Sequence, residues 1–142
     1  MSIKGSASIK VQPLILAAGK GTRMKSDLTK VLLQIAGKPM LGHVLDAAKE
    51  LDTLAPIVVA GFGSDQVKKR FPDCKFVEQS EQLGTGHAVQ IASDAIPTDS
   101  LVLVLYGDVP LIQAETLKSV VEAACNGKLG LLTADLQDST GY

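Results

Sequence analysis

LVLVLYGDVPL, residues 101–111, runs five aliphatic residues and a tyrosine together and then stops at glycine, aspartate and proline. Continuous rather than alternating apolarity is the pattern of a central parallel strand buried on both faces. After it the spacing predicts a helix from about Ala114 to Cys125, stopped by Asn126 and Gly127, and another strand near 129–134. The same alternation recurs toward the N-terminus. Phe76 and Val77 suit a strand, followed by the loop EQLGTGHA and helical spacing through Val89 and Ile91 as far as Pro97. Ile57–Ala60 is a largely β-branched run ending in GFG, and Ser64 stands where it can cap a short helix. Leu41, Val44, Leu45 and Ala48 fall on one helix face, with Pro39 in the first turn. Val11–Leu16 reads as the first strand, with Pro13 near its start because proline donates no ladder bond. Strands alternating with helices specify an α/β fold, a mostly parallel sheet flanked by helices. One domain is expected over 11–142, behind a loose leader at 1–10.

Composition narrows the possible partners. The 142 residues are 46% hydrophobic, enough for one compact core. With 14 basic against 15 acidic residues there is no overall positive field to hold nucleic acid or an anionic membrane. No apolar run reaches the roughly 20 residues of a membrane span, and the N-terminus lacks a secretory pattern, so a soluble, cytoplasmic protein is expected. Cys74 and Cys125 are far apart and outside any CxxC, which predicts reduced, buried thiols rather than a disulfide or a zinc site. Lys68, Lys69 and Arg70 read as a solvated helix face. His43 and His87 read as ordinary helix residues, and no Ser-His-Asp or Cys-His constellation is evident.

In a parallel sheet ligands collect beyond the carboxyl ends of the strands. The first such loop lies in LILAAGKGTRMKSDLTK, residues 14–30. It is not a Walker A loop, and Met24 stands where the dinucleotide fingerprint needs a third small residue. What remains is GKGTR, a glycine turn whose backbone N–H groups can face an anion while Lys20, Arg23 and Lys25 supply charge.

Three stretches in order, LAAGKGTRM with Lys30 beyond it, QSEQLGTGHA and LYGDVPL, resemble the sugar-nucleotidyltransferase signature. Together they are similar to the bacterial N-acetylglucosamine-1-phosphate uridylyltransferases, the N-terminal half of a bifunctional enzyme, over about Leu14 to Tyr142. The resemblance implies a Rossmann-like nucleotidyltransferase fold. It also implies transfer of a uridylyl group from UTP to N-acetylglucosamine 1-phosphate with Mg²⁺, giving pyrophosphate and UDP-N-acetylglucosamine for peptidoglycan and lipopolysaccharide precursors. Position by position, Leu16, Ala17, Ala18 and Gly19 match the segment along the nucleoside. Gly21, Thr22 and Arg23 match the triphosphate loop, with Arg23 at the α-phosphate and Lys30 holding phosphate near the reacting centre. Gln79, Gln82, Gly84 and Thr85 match the uracil and ribose pocket, where a glutamine amide offers both a donor and an acceptor to the base. Tyr106, Gly107 and Asp108 match the strand-end motif, with Asp108 as the metal ligand.

Two departures accompany the match. Thr29 stands where the family has proline before the motif lysine, which frees φ and is expected to loosen Lys30. The sequence ends at Gly141 and Tyr142, where the family continues with further sugar and metal residues and with the β-helix domain on which its homotrimer mainly relies. The expectation is an incomplete domain that binds nucleotide with impaired turnover. The alternatives are a nucleotidyltransferase for another sugar phosphate, or a catalytically silent nucleotide-binding fragment.

Overall fold

The structure, a computed structural model, describes residues 9–19, 28–138 and 140. Along the chain come β1 (Lys10–Ala17), a 3₁₀ turn (Lys30–Leu32), β2 (Gln34–Ile35), β3 (Lys38–Pro39), α1 (Met40–Lys49), β4 (Ile57–Ala60) and α2 (Ser64–Arg70). There follow β5 (Lys75–Glu78), α3 (Thr85–Ala92), a second 3₁₀ turn (Ser93–Ala95), β6 (Ser100–Tyr106) and α4 (Ala114–Ala124). Four strands form one parallel sheet in the order β5-β4-β1-β6, while β2 and β3 make a small antiparallel pair. No helix among the described residues is long and apolar enough to cross a membrane.

Each face of the sheet carries its own core. On one, Ile15, Val58, Leu103 and Leu105 meet Leu41, Val44, Leu45 and Ala48 of α1 and Leu117 of α4. On the other, Leu14, Ile57 and Val59 meet Ala88 and Ala92 of α3. The apolar stripe of α1 therefore does what its spacing predicts, and β1 is buried from both sides. After β1 the chain moves outward through β4 and β5, then returns to lay β6 on the other side of β1. Strand order reverses between β1 and β6, and a crevice opens there at their carboxyl ends.

Several local expectations change. Pro13 sits in the middle of β1, opposite Leu103 of β6; the ladder to β4 starts only at Leu14. One residue earlier, the buried Gln12 amide donates to the Ala55 carbonyl at 2.9 Å, filling the gap before β4 begins. Ser64 is the first helical residue of α2 rather than its cap, and Gly63 takes the cap position at φ 71°. Pro39 likewise precedes α1 as its cap.

β6 is paired with β1 alone among the described residues, so it is an edge strand and not a central one. Val102, Val104 and Tyr106 are exposed, because α3 covers β1 and β4 but does not extend over β6. No strand forms over 129–134, and Leu129, Leu131 and Leu132 lie exposed. Both differences share a cause: an apolar strand sequence becomes a buried strand only where a neighbour supplies its second ladder. Cys74 and Cys125 form no disulfide, as expected, but are half-buried rather than buried, and burial pushes the Cys74 thiol pKa above its ordinary value.

Candidate functional site

The carboxyl ends of β1 and β6 and the loop after β5 enclose a cavity of about 310 Å³. Leu16, Ala17, Ala18 and Gly19 reach it from β1, Tyr106 and Asp108 from β6, and Gln79, Gln82, Gly84 and Thr85 from the loop and the start of α3. Lys30 completes the set from the 3₁₀ turn. A larger cleft of about 510 Å³ runs along β6 beside α4 and residues 128–132, but its lining is almost wholly aliphatic. Among the described residues Lys128 is the one charged side chain on that wall, whereas the smaller cavity brings Lys30, Asp108 and side-chain amides together, so it is the candidate site.

Lys30 is anchored by the 3₁₀ turn that it begins. Val31 and Leu32 are buried, the Leu32 N–H donates to the Thr29 carbonyl at 2.9 Å, and the Leu33 N–H donates to that of Lys30 at 3.1 Å. Below this turn lies Gly107, whose N–H donates to the Leu16 carbonyl at 2.9 Å. A Cβ on Gly107 would stand 3.1 Å from Val31 Cγ1 and 3.3 Å from Ala17 Cβ, so the turn settles closely onto the sheet only over a glycine. Lys30 Nζ then donates to Asp108 Oδ2 at 2.7 Å. With both side chains about a third exposed, the pair adds little stability; its meaning is the placement of a cation beside a carboxylate at the cavity.

Thr29, expected to loosen Lys30, stands directly before this turn. It is fully buried with φ −61° and ψ 140°, a φ that proline would also adopt.

The other wall is built by side-chain amides. The Gln79 N–H donates to the Ala60 carbonyl at 2.8 Å, extending the line of β5. The buried Gln79 side chain then turns back, Nε2 lying 3.2 Å from the Gly84 carbonyl and 3.0 Å from His87 Nδ1. The Gln82 amide donates to the Ala18 carbonyl, tying the loop across the end of β1. Gly84 leads into α3 at φ 102° and ψ 179°, a conformation essentially confined to glycine.

Of the residues singled out by sequence, Leu16, Ala17, Ala18, Gly19, Lys30, Gln79, Gln82, Gly84, Thr85, Tyr106 and Asp108 line one cavity, and Gly107 lies beneath it. Gly21, Thr22 and Arg23 lie outside the described residues.

Residues 13–138 match the MobA-like NTP transferase domain family. The chain belongs to that family. It is 51% identical over 131 residues to the bifunctional protein GlmU of Cellvibrio japonicus, covering 91% of this chain and 29% of that protein. It is 55% identical over 137 residues to the GlmU of Stenotrophomonas maltophilia, covering 92% and 30%. The chain thus spans just under a third of the length of the curated relatives it matches. A nucleotidyl transferase from Methanothermobacter superposes with a TM-score of 0.71 at 22% identity, over 80% of this chain and 57% of that one. Rv0371c from Mycobacterium tuberculosis does so with 0.70 at 20%, over 83% and 62%. The doubly covered parallel sheet is the nucleotidyltransferase fold expected from the sequence.

In this NTP transferase domain two residues lining the cavity escaped sequence reading, and a third beside it, His87, was read only as an ordinary helix residue. Val31 and Ala88 line the cavity as apolar anchors of the 3₁₀ turn and α3. His87 lies in α3 and Gln79 just beyond β5, with an irregular loop between them, so no single helical or strand repeat relates the pair and only folding brings it together.

Proposed function

We propose that this chain binds UTP and supplies the nucleotide-facing part of a uridylyltransferase acting on N-acetylglucosamine 1-phosphate. The observation that carries the reading is that the Lys30–Asp108 pair and the Gln79–Gly84 loop line one cavity beyond the sheet, floored by Ala17, Ala18 and Gly19. Small side chains there leave room for a base, amides suit its edge, and charges suit phosphates.

In the reaction an oxygen of the sugar phosphate attacks the α-phosphorus of UTP in line. The new O–P bond forms as the bond to the β-phosphate oxygen breaks, and pyrophosphate leaves with that electron pair. With a second phosphate pKa of about 6, the attacking group is already largely ionised at neutral pH, so no protein base is needed. Positioning and charge neutralisation carry the rate. Lys30 is assigned to a phosphate near the reacting centre, Arg23 to the α-phosphate, and the backbone of Gly21 and Thr22 to the triphosphate. Leu16 to Gly19 lie along the nucleoside, Gln79, Gln82, Gly84 and Thr85 read base and ribose, and Tyr106 and Gly107 border the nucleotide.

Asp108 fits a magnesium ion. Mg²⁺ is usually held by one or two carboxylates together with phosphates and water. Among the described residues no three His, Cys, Asp or Glu side chains gather, while Asp108 already holds a cation, the ammonium of Lys30. When bound, the ion supplies charge neutralisation on phosphate oxygens.

Thermal shifts with UTP, CTP, GTP and dTTP, each with Mg²⁺, test the reading. UTP should give the largest shift, about 2.7 kcal/mol of stabilisation at a hundred times its Kd. Asp108→Asn should remove the magnesium-dependent part. Equal shifts for all four nucleotides would refute uridine recognition.

A further inference from the structure

We infer that His87 is a specificity-determining positioning residue: it acts through Gln79, holding that amide so that only its carbonyl oxygen is left to face the base. The inference rests on the uridine reading above and concerns a residue that reading leaves out.

The geometry fixes the orientation of the amide. The Gly84 carbonyl can only accept, and it already receives the Ala88 N–H at 3.2 Å as the first helical bond of α3. The Gln79 atom 3.2 Å away must therefore be the nitrogen, since an oxygen there would set two acceptors against each other. The second hydrogen of the same nitrogen points to His87 Nδ1 at 3.0 Å. Nδ1 must then present its lone pair, so the neutral ring carries its proton on Nε2.

Both amide donors are thus spent inside the loop. On this reading Gln79 does not offer the base the donor that a free amide would. Gln79 is 4% exposed and lines the cavity, and its bonds to Gly84 and His87 both run through the nitrogen, so Oε1 is the polar atom that remains. What faces the ligand is an acceptor alone. Uracil answers it with N3–H, whereas cytosine brings a lone pair at N3, and two facing acceptors repel. A glutamine free to rotate by half a turn would lose this distinction, because its NH₂ would serve cytosine equally well. The Gly84 carbonyl opposes that rotation by one bond, and His87 adds the second.

The tests are a ratio and a spectrum. For wild type, His87→Ala and His87→Asn, the Kd of UTP and of CTP is measured by calorimetry with Mg²⁺. Losing one hydrogen bond predicts a roughly two- to tenfold fall in UTP-over-CTP preference for His87→Ala. His87→Asn, whose carbonyl oxygen can stand in for Nδ1, should recover most of it. Long-range ¹H–¹⁵N spectra of the wild type should show the proton on Nε2 of His87. A proton on Nδ1, or full preference retained in His87→Ala, would overturn the inference while leaving uridine recognition intact. Absence of any UTP preference in the wild type would instead overturn the uridine reading, and the role assigned to His87 with it.

Discussion

Replacing Thr29 with valine should make the protein more stable. Thr29 is fully buried, and its Oγ1 has no hydrogen-bond partner among the described residues. An unpaired buried hydroxyl costs about 1–3 kcal/mol. Valine keeps the branched shape, including the methyl that packs near Gly63, where an added Cβ would lie 3.2 Å from Thr29 Cγ2. The gain should be about 1–2 kcal/mol, since part of the penalty is relieved by breathing of the surroundings. For a chain of this size each kcal/mol moves Tm by about 4 °C, so a rise of about 4–8 °C is expected. Urea unfolding followed by far-ultraviolet circular dichroism should show a higher midpoint with an unchanged slope. Thr29→Ser is the control: it keeps the hydroxyl and loses the methyl, and should fall below wild type by about 1 kcal/mol. Thr29→Pro should be tolerated because φ already sits at −61°. A lower midpoint for Thr29→Val would refute the reasoning, for it would mean that the hydroxyl is bonded and pins the segment ahead of Lys30.

Two further outcomes can be checked directly. Gly107→Ala should destabilise by about 1–3 kcal/mol, because its Cβ would press on Val31 and the Leu16 carbonyl with little room to yield; weakened Mn²⁺ binding by Asp108 should accompany it, read by electron paramagnetic resonance. Cys74 has its thiol pKa raised chiefly by burial, so at pH 8 iodoacetamide should modify it more slowly than an unstructured cysteine peptide, and urea should abolish the difference.

Much of the fold is visible residue by residue, because periodicity is a local property. The stripe Leu41, Val44, Leu45, Ala48 needs only the helical repeat to declare its buried face, and the left-handed Asn126 and Gly127 follow directly on the extended Cys125 that ends α4. Ile57–Ala60 is legible in the same way from its β-branching and the glycine that follows it, whereas of β5 only the Phe76–Val77 centre is legible and not its ends at Lys75 and Glu78. Neighbourhood is another matter. LVLVLY is equally apolar whether or not another strand lies beside it, so the sequence cannot tell the edge position of β6 from a central one.

The candidate site divides along the same line. Which residues were candidates to meet a nucleotide came from sequence, through the resemblance carried by three ordered motifs: glycines for phosphate, amides for a base, Asp108 for a cation. Tertiary structure alone decided which of their atoms remain available. It set Lys30 against Asp108 and Gln79 against His87, pairs separated by 78 and 8 positions. Hydrogen-bonding capacity is written in composition, but its consumption depends on contacts across the fold, and those arise only when β1, β5 and β6 bring their ends to a common rim.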